Sequence, residues 1–249
     1  MLQKSQYINR DLTKKNVMTE VYGAGKGAKI KQIEEFVNSK LNNKLNWGEE
    51  KIKEVSVDLQ SKIDKAIKEE LPSSNIFKKW MKKITREVSS KNRAIEWYTP
   101  IIKFRVIQEE FETKKERIHT KYNGRKNSIQ IRIETDKIDK GAQSKGISPN
   151  FIHSLDATHL FLTVLKSKEI GIDSFATIHD SFGTHAYDID NLIKAIKSSF
   201  IDMYQEDILE SFRKYIVNKH NIEIKPINYQ GDLESFEIEK VNSSLYFFS

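Results

Sequence analysis

The chain has 249 residues, of which 38% are hydrophobic and 31% are charged, and its mean hydropathy is −0.60. No apolar stretch approaches the roughly 18 residues that a membrane span needs, so we expect no contact with a membrane. The absence of cysteine excludes disulfides, thiolate catalysis and cysteine-based zinc sites. The net charge of +7 fits a polyanionic partner such as nucleic acid, although many basic proteins bind no polymer.

The first part of the chain has helical periodicity. From about residue 13 to residue 42 the pattern predicts helix, interrupted at residues 22–27, where three glycines fall within five positions. A charged segment from residue 47 to about residue 91 predicts two further helices, with Pro72 and Ser73 marking the end of one and the N-cap of the next. We assign no chemistry to this segment. The apolar residues after the glycines share one helical face: Ile30, Ile33, Phe36, Val37 and Leu41.

The pattern then changes to alternation. Residues 95–109 and 116–134 alternate apolar with polar side chains, which is typical of half-buried strands. The segment YNGRKN at residues 122–127 supplies turn residues between alternating runs. The sequence therefore predicts a β-hairpin in this region.

The last part of the chain predicts helices around one short hairpin. A helix is predicted at residues 151–168, after the segment GISPN, and a strand at 174–178. A turn at 180–183 and a short return strand follow, and then two amphipathic helices at 188–202 and 204–218. This order of elements predicts an α+β fold. The residues of the first helix that we expect to be buried are Phe151, Ile152, Leu155, Leu160, Leu162, Val164 and Leu165.

The segment INRDLTKKNVMTEVYG carries the first candidate site. Arg10 and Lys14 lie four residues apart, so their cationic groups share a helical face that continues toward Tyr22. Two cations and an aromatic ring suit a nucleoside triphosphate, with the phosphates on the cations and the base or ribose against the ring. The alternative is an ordinary amphipathic helix in a lysine-rich chain.

The segment GISPNFIHSLDATHLF carries the second candidate site. His153, Asp156 and His159 follow one another at intervals of three residues. Zinc binding is not favoured, because the histidines do not have the i,i+4 spacing and no further ligand is evident nearby. We favour a histidine that hydrogen-bonds a substrate, or one that is satisfied by its own helix.

The segment TIHDSFGTH carries the third candidate site. An apolar run ending at Ile178 delivers His179 and Asp180 into a Ser-Phe-Gly turn. An ionised carboxylate is costly to bury, so Asp180 is either displayed as a metal ligand or used to cap the turn. Mg²⁺ takes carboxylate and phosphate oxygens, so a phosphoryl-transfer site needs few protein ligands.

Together these segments resemble the phage-type single-subunit DNA-dependent RNA polymerases of phages and mitochondria. The first matches the pattern R-x3-K-x2-[apolar]-M-[T/P]-x2-Y-G of the family's fingers helix at every specified position. FATIHDSFGTH resembles the palm hairpin that bears the second metal-binding Asp. WYTPIIKF resembles the intervening segment more loosely, and SLYFFS resembles the aromatic C-terminus of organellar members. The resemblance covers nearly the whole chain, except residues 45–95.

The resemblance implies a role for each candidate residue. Arg10 and Lys14 would hold the incoming triphosphate, and Lys14 would donate a proton to the departing pyrophosphate. Tyr22 would monitor the ribose and stack near the template, and His153 would lie by the nucleotide sugar. Asp180 would ligate catalytic Mg²⁺. The partners implied are the DNA template, the RNA product and the NTP substrates, and the implied location is the mitochondrion, with an organelle- or plasmid-encoded gene and no evident presequence.

The resemblance also implies an architecture. Residues 1–95 would form mostly helical fingers, and residues 96–249 would form part of the palm with a small antiparallel sheet, within a right-hand polymerase fold. The family places a first metal-binding Asp upstream of the fingers helix, and we find no segment that resembles that motif. We therefore expect a C-terminal portion of a polymerase that requires a separate chain carrying the N-terminal part.

Two other functions stay open. One is a non-catalytic remnant that retains a basic nucleic-acid-binding cleft. The other is a DNA polymerase of the related family, which shares R-x3-K-x7-Y-G. That family typically follows His-Asp with Glu and usually lacks Met-Thr before the tyrosine, whereas this chain has HDS and VMTEVYG. Both features favour RNA synthesis.

Overall fold

A computed structural model describes residues 9–41, 46–178, 181–228, 237–245 and 247. Helices and three two-stranded antiparallel sheets make up the regular structure of these residues, so the predicted α+β class is confirmed. Among them, no helix has the length and apolar character of a membrane span.

The chain divides into two compact units. Unit 1 contains Met1–Trp80 and Asn228–Gly231, and unit 2 contains Met81–Ile227 and Asp232–Ser249. The prediction that residues 1–95 are fingers and residues 96–249 are palm gives each part a function. The division into compact units does not test those functions, so the prediction stays a proposal.

Unit 1 is helical throughout its described regular structure. Helix α1 spans Arg10–Val21, and α2 spans Lys26–Phe36 and continues as one π-helical turn at Val37–Leu41. Helix α3 spans Glu49–Glu70, and α4 spans Pro72–Ser90, beginning in unit 1 and ending in unit 2.

Both predicted helix breaks are confirmed. Helix α1 ends just before Gly23, whose φ of 77° lies in the left-handed region that glycine adopts without strain. The break between α3 and α4 falls at Leu71, and Pro72 is the first residue of α4. The predicted N-cap at Ser73 was therefore wrong, because proline suits the first helical position, where its missing N–H leaves no hydrogen bond unmade.

The core of unit 1 uses the predicted face of α2. Ile33 and Val37 are fully buried, and Leu41 is 7% exposed. They pack with α1 and α3 in one apolar cluster, and Phe36 packs against its margin. The buried members of the cluster are Leu12, Ile33, Val37, Leu41, Ile52 and Leu59.

Unit 2 begins with two hairpins. Strands β1 (Ile95–Tyr98) and β2 (Arg105–Gln108) pair antiparallel, with Trp97 opposite Val106. The alternation at residues 95–109 therefore belongs to two short strands and not to one. Pro100 supplies no backbone donor, and the Thr99 N–H donates to the carbonyl of Phe104 at 2.9 Å to close the loop.

The second hairpin is a long two-stranded ribbon. Strands β3 (Phe111–Tyr122) and β4 (Arg125–Ile138) pair along nearly their whole length. The turn residues Asn123 and Gly124 both have positive φ, at 47° and 74°, as a two-residue type I′ turn requires. The hairpin predicted at YNGRKN is confirmed and is longer than the alternation suggested. Most of its residues are exposed on both faces, contrary to the expected half-buried strands.

Helix α5 spans Lys140–Glu169, so its predicted start at residue 151 was wrong. Asp139 is the N-cap, and its carboxylate accepts from the backbone N–H groups of Gly141 and Ala142 at 2.9 Å each. The buried face of the first turns is polar: Gln143 exchanges side-chain-to-backbone hydrogen bonds of 2.8 Å with Gln108. These first turns therefore lack the apolar periodicity by which a helix is predicted. Proline usually marks the end or start of a helix, but Pro149 lies within this one.

The apolar packing of α5 agrees with the prediction in part. Phe151, Leu155 and Leu162 are buried, whereas Leu165 is 54% exposed, so its predicted burial was wrong. The remaining candidates are half-buried: Ile152, Leu160 and Val164. The ring of Phe151 lies 5.8 Å from that of Trp97 on β1, which fixes α5 against the first hairpin.

The rest of unit 2 follows the predicted order. Strands β5 (Ala176–Ile178) and β6 (Ser181–Gly183) form a short hairpin, so part of the predicted turn is strand. Helices α6 (Ile189–Gln205) and α7 (Ile208–His220) come close to the predicted bounds. A 3-10 helix at Ile238–Ser243 precedes the C-terminus.

Candidate functional site

The inward face of helix α1 carries buried polar side chains, and its outward face carries apolar side chains beside its cations. Asn16 is fully buried and Glu20 is 8% exposed, whereas Met18 is 55% exposed and Val17 is 37% exposed. Leu12 is the one large apolar side chain among the described side chains of α1 that joins the unit 1 core. A helix that turns polar groups inward and apolar groups outward is shaped by something other than its own packing.

The outward face of α1 carries the two predicted cations. Arg10 and Lys14 are exposed, and neither forms an ion pair with a described residue. They occupy successive turns and continue into Val17 and Met18, so the exposed stripe combines positive charge with apolar surface. Tyr22 is the C-cap of this helix and is half-buried. The structure thus places Arg10, Lys14 and Tyr22 on one element.

The inward face of α1 is held by a buried network of charges. The carboxylate of Glu20 accepts hydrogen bonds from the ammonium groups of Lys29 and Lys78. Lys29 also donates to Asp64 of α3 at 2.8 Å, and Gln60 donates to the same carboxylate. The side chains of Glu20, Lys29 and Lys78 are 10%, 5% and 12% exposed. The network therefore ties α1 to α2, α3 and the start of α4.

Ionisation follows from this pairing. Burial alone would raise the pKa of Glu20, but the hydrogen bonds and charges of Lys29 and Lys78 outweigh burial and lower it. Burial would likewise lower the pKa of Lys29, but hydrogen bonds to Asp64 and Glu20 raise it. Glu20 and Lys29 are therefore charged near neutral pH, and the network fixes the position of the cationic stripe.

A cleft also borders Lys14. Its volume is about 290 Å³, close to the lower limit of small-molecule sites. Asp11 and Glu35 line it together with Lys14, Lys15 and Lys40. With acids and bases mixed in its lining, this cleft does not select an anion, and the anion-binding character of α1 lies on the exposed stripe.

The second candidate site divides between surface and core. His153 and Asp156 are exposed on α5, whereas His159 is 7% exposed. The Nε2–H of His159 donates to the carbonyl of Ile196 at 2.9 Å, and burial lowers the pKa of His159. His159 is therefore a neutral core residue that joins α5 to α6, and His153 is the exposed histidine of this segment.

The third candidate site lies at the β5–β6 hairpin. The strands pair up to Ile178 opposite Ser181, and the two residues between them in sequence, His179 and Asp180, lie outside the described residues. Phe182 packs against a buried cluster of Ile172, Leu192 and Ile196, and its ring lies 6.0 Å from that of His159. Ile178 is 71% exposed. The hairpin is anchored through Phe182, whereas its strand ends beside position 180 face solvent.

The C-terminal segment packs against α6, on the cluster that also contacts Phe182 of the hairpin. Lys197 donates to the carbonyls of Asn242 and Ser244 at 3.0 and 2.7 Å. The ring of Phe247 lies 4.7 Å from that of Phe200, which in turn lies 5.7 Å from that of His159. Phe247 of the predicted aromatic terminus is thus half-buried against the core of unit 2, and Tyr246, Phe248 and Ser249 lie outside the described residues.

The β3–β4 ribbon carries a charged face that the sequence analysis missed. Paired residues point to the same side, so the register collects most of the lysines and arginines on one face and four isoleucines, with Lys114 and Arg125, on the other. Lys115 lies opposite Arg132, and Lys121 lies opposite Lys126. The alternation of K-x-R-x-x-x-K in β3 was the signal. The cationic face contains Lys115, Arg117, Lys121, Lys126 and Arg132, and the other face contains Ile118, Ile129, Ile131 and Ile133.

The site as a whole has no preassembled metal cage in the described part of the chain. No group of three or more His, Asp or Glu side chains able to hold a metal occurs among the described residues. What the structure does present is a cationic helix face, an exposed histidine and a hairpin whose strand ends flank an acidic position.

Comparison with known proteins gives the family. Residues 1–244 match the sequence profile described as DNA-dependent RNA polymerase. The chain is 30% identical to DNA-directed RNA polymerase 1, mitochondrial, of Arabidopsis thaliana over 247 residues, which cover 97% of this chain and 24% of that protein. It is 28% identical over 256 residues to DNA-directed RNA polymerase, mitochondrial, of Homo sapiens, covering 98% of this chain and 20% of that protein.

A chloroplast relative gives the same result. DNA-directed RNA polymerase 3, chloroplastic, of Nicotiana sylvestris is 28% identical over 244 residues, which cover 97% of this chain and 24% of that protein. The chain thus spans about a fifth to a quarter of the length of these curated relatives. The match runs through all three motif segments, from the cationic helix to the acidic hairpin. The chain belongs to the DNA-dependent RNA polymerase family.

Proposed function

We propose that the chain is the part of a DNA-directed RNA polymerase that binds the incoming NTP and supplies one metal-binding carboxylate for template-directed nucleotidyl transfer. The observation that carries this proposal is the arrangement of side chains on the two faces of helix α1. Its exposed stripe holds two cations without described ion-pair partners, and its inward face is fixed by buried charges. Family membership supports the reaction class.

The cations of α1 act on the triphosphate. Arg10 offers a planar guanidinium that binds phosphate oxygens in pairs, and Lys14 offers a compact ammonium one turn further along. As the bond to the α-phosphate breaks, negative charge develops on the pyrophosphate. Lys14 then donates a proton to the leaving oxygen. General acid catalysis of this kind accelerates a reaction by about 10² to 10⁴.

Two further side chains act on the sugar. Tyr22 combines a ring that stacks with a hydroxyl that senses the 2′-OH through hydrogen bonds, and His153 lies by the nucleotide sugar. The exposure of His153 on α5 leaves it accessible to a ligand. A site built to pair a hydroxyl rejects the deoxy analogue, because polar groups are then left unpaired.

The carboxylate of Asp180 is suited to Mg²⁺ but supplies only part of a binding site for that metal. Asp180 offers the oxygen ligand that Mg²⁺ prefers, and substrate phosphates and water ordinarily complete its coordination. The described residues supply no cluster that would hold the ion alone. When bound, Mg²⁺ supplies charge neutralisation at the phosphoryl oxygens. A second carboxylate is needed, and we propose that it comes from the first-Asp motif of the family, carried on the N-terminal part of the polymerase.

Nucleic acid is the proposed partner of unit 2. Like charges that face one another across a sheet are destabilising, and the ribbon has two such pairs on its cationic face. A polyanion relieves this repulsion and releases counterions as it binds. We therefore propose the DNA template and the RNA product as partners of the chain.

The architecture and location follow from the family. We propose that residues 1–95 act as fingers and residues 96–249 as part of the palm of a right-hand polymerase. The relatives are named for mitochondria and chloroplasts, and we propose that this chain works in the mitochondrion. A separate chain that carries the N-terminal part is the proposed protein partner.

The alternative is a remnant that binds nucleic acid without catalysis. Reconstitution separates the two functions: the chain is mixed with the N-terminal part of a relative, DNA template, NTPs and Mg²⁺. Synthesis of RNA that stops in the Asp180→Asn variant supports the enzyme, and preference for deoxynucleotides would instead support the related DNA polymerases. No synthesis, together with salt-sensitive binding of nucleic acid, would support the remnant. The chain alone is expected to make no RNA.

A further inference from the structure

A further cationic site, separate from the α1 stripe and from the face of the ribbon, lies in unit 2, away from the motif segments. A cleft of about 490 Å³ opens at the start of α5. Lys82 and Arg86 of α4 enter it one helical turn apart, and Lys140 and Lys145 of α5 line the facing side. Four basic side chains from two helices thus converge on one opening.

These four cations are not neutralised within the described part of the chain. None of them forms an ion pair with a described residue. Elsewhere in unit 2, Lys166 pairs with Asp202, and Lys103 lies 3.6 Å from Glu206. Like charges gathered around a cavity repel one another, and the walls of a cleft weaken the screening by water. This arrangement favours a bound anion.

The donors available to such an anion are side chains. The first free N–H groups of α5 already donate to the Asp139 carboxylate, so the helix terminus itself is occupied. Ser144, which is 7% exposed, adds its hydroxyl to the lining. An arginine and three lysines match the tetrahedral, multiply charged phosphate group, which accepts several charge-assisted hydrogen bonds.

We propose that this cleft binds phosphate groups of a nucleic-acid strand. The phosphate chemistry rests on the cleft alone, whereas the identity of the ligand as a strand rests on the proposed function. The cleft is open to solvent and its volume exceeds that of a single phosphate group, so a backbone can pass through it. Strand β4 of the ribbon ends at Ile138, two residues before Lys140, so the cleft lies at the root of the ribbon.

The test compares charge loss in the cleft with equal charge loss elsewhere. The cleft variant is Lys140→Gln with Lys145→Gln in the full chain. The control is Lys62→Gln with Lys65→Gln, two exposed lysines of α3 in surface ion pairs. The probe is a fluorescent single-stranded oligonucleotide of roughly 16 nucleotides, measured by anisotropy between about 50 and 200 mM salt.

The expected result is a smaller salt dependence in the cleft variant. Each phosphate contact contributes about 0.7 to the slope of log K against log salt for single strands, so two lost contacts lower it by about 1.4. This corresponds to about 25-fold weaker binding at about 0.1 M salt. The control variant is expected to keep the wild-type slope. Arg86→Gln removes one contact and should lower the slope by about 0.7.

A second probe separates the sources of phosphate. Inorganic pyrophosphate is titrated calorimetrically into the same proteins. If the cleft variant loses pyrophosphate binding and keeps oligonucleotide binding, a free polyphosphate is the ligand and the strand is the wrong source. If both probes bind the cleft variant as they bind the control, the site is refuted. Arg10→Gln with Lys14→Gln tests the proposed function, and it must leave the cleft effect unchanged.

Discussion

Each unit has a buried carboxylate that is paired with cations, and the cations are buried in unit 1 but exposed to solvent in unit 2. In unit 1, Glu20 meets Lys29 and Lys78, and all three side chains are at most 12% exposed. Removing three charges from water is costly, and only their mutual pairing and hydrogen bonds offset that cost. Each partner is therefore needed to keep the other buried charges neutralised.

In unit 2, Glu96 of β1 is equally buried, but its partners reach it from solvent. Glu96 is 9% exposed, whereas Arg105 and Lys219 are 53% and 36% exposed. Tyr215 of α7 also donates to this carboxylate. The cations keep much of their hydration, so the pairing joins α7 to the first hairpin at a lower cost of desolvation. The difference teaches that the more deeply buried network belongs to the helix whose outer face is proposed to bind substrate.

The largest expected effect is the loss of the dry carboxylate. Glu20→Gln leaves Lys78 buried without a counterion and Lys29 with Asp64 as its remaining counterion, so the free energy of unfolding should fall by about 3 to 5 kcal/mol. Urea denaturation at neutral pH measures it. Glu69→Gln, which removes an exposed partner 3.9 Å from Lys65, is the control and should cost less than about 1 kcal/mol.

The apolar replacement sharpens this result. Glu20→Leu with Lys29→Met, Lys78→Met and Asp64→Asn removes every charge of the network, and buried ion networks replaced in this way are often neutral or stabilising. If Glu20→Gln alone costs no more than Glu69→Gln, the network does not hold α1 and the comparison fails.

The next effect concerns the sugar selectivity of the surface that this network holds. In the reconstituted enzyme, Tyr22→Phe keeps the ring and removes the hydroxyl. Ribonucleotide incorporation should survive, while discrimination against deoxyribonucleotides drops by roughly 1 to 3 kcal/mol, the cost of an unpaired buried group. Competitive incorporation of matched nucleotides measures it. Loss of all synthesis with unchanged selectivity would make Tyr22 structural.

A smaller effect is the pH dependence that comes from Glu96. The hydrogen bond from Arg105, followed by those from Lys219 and Tyr215, lowers the pKa of Glu96 from 4.5 to about 2 despite its burial. Between these values the unfolded chain binds a proton that the folded chain does not. The stabilisation is therefore complete above the unfolded pKa and is lost as pH falls toward 2.

The measurement compares the wild type with Glu96→Gln. The wild type should be more stable by about 1 to 2 kcal/mol at neutral pH, a value that allows for its exposed cation partners. The difference should shrink as the pH of urea denaturation is lowered from about 5 to about 3. A constant difference over this range would show that the charge of Glu96 does not contribute.

The smallest effect is expected on the exposed stripe of α1. Met18→Gln should change the free energy of unfolding by less than about 0.5 kcal/mol, because that side chain is already 55% exposed. Leu12→Gln is the contrasting variant on the same helix, since Leu12 belongs to the core cluster. Thermal denaturation of both variants measures the contrast, and equal losses would show that Met18 packs in solution.

The sequence predicted most helices and the cationic stripe, because these depend on local periodicity and on residues four apart. It missed the first turns of α5, where Gln143 and Ser144 replace an apolar period by hydrogen-bonded polar packing. It also missed the division of residues 95–109, although Pro100 was a signal.

Other features could not be predicted from local pattern. The cleft unites Lys82 and Lys145, which are far apart in sequence, so it exists only once α4 and α5 have packed. The buried network of Glu20 likewise forms only in the folded chain, where Asp64 reaches Lys29 and Lys78 reaches Glu20. Lys78, in the segment to which the sequence analysis assigned no chemistry, thus belongs to a buried network.

The exposed ribbon has a consequence for how this protein can change over generations. Nearly all side chains between Thr113 and Lys126 are exposed, and the ladder of backbone hydrogen bonds and the Asn123–Gly124 turn hold the shape. Substitutions at such positions usually alter stability by no more than about 0.5 kcal/mol. The outward residues are therefore free to drift as a set while the folded scaffold stays constant, so binding preference can evolve separately from the chemistry.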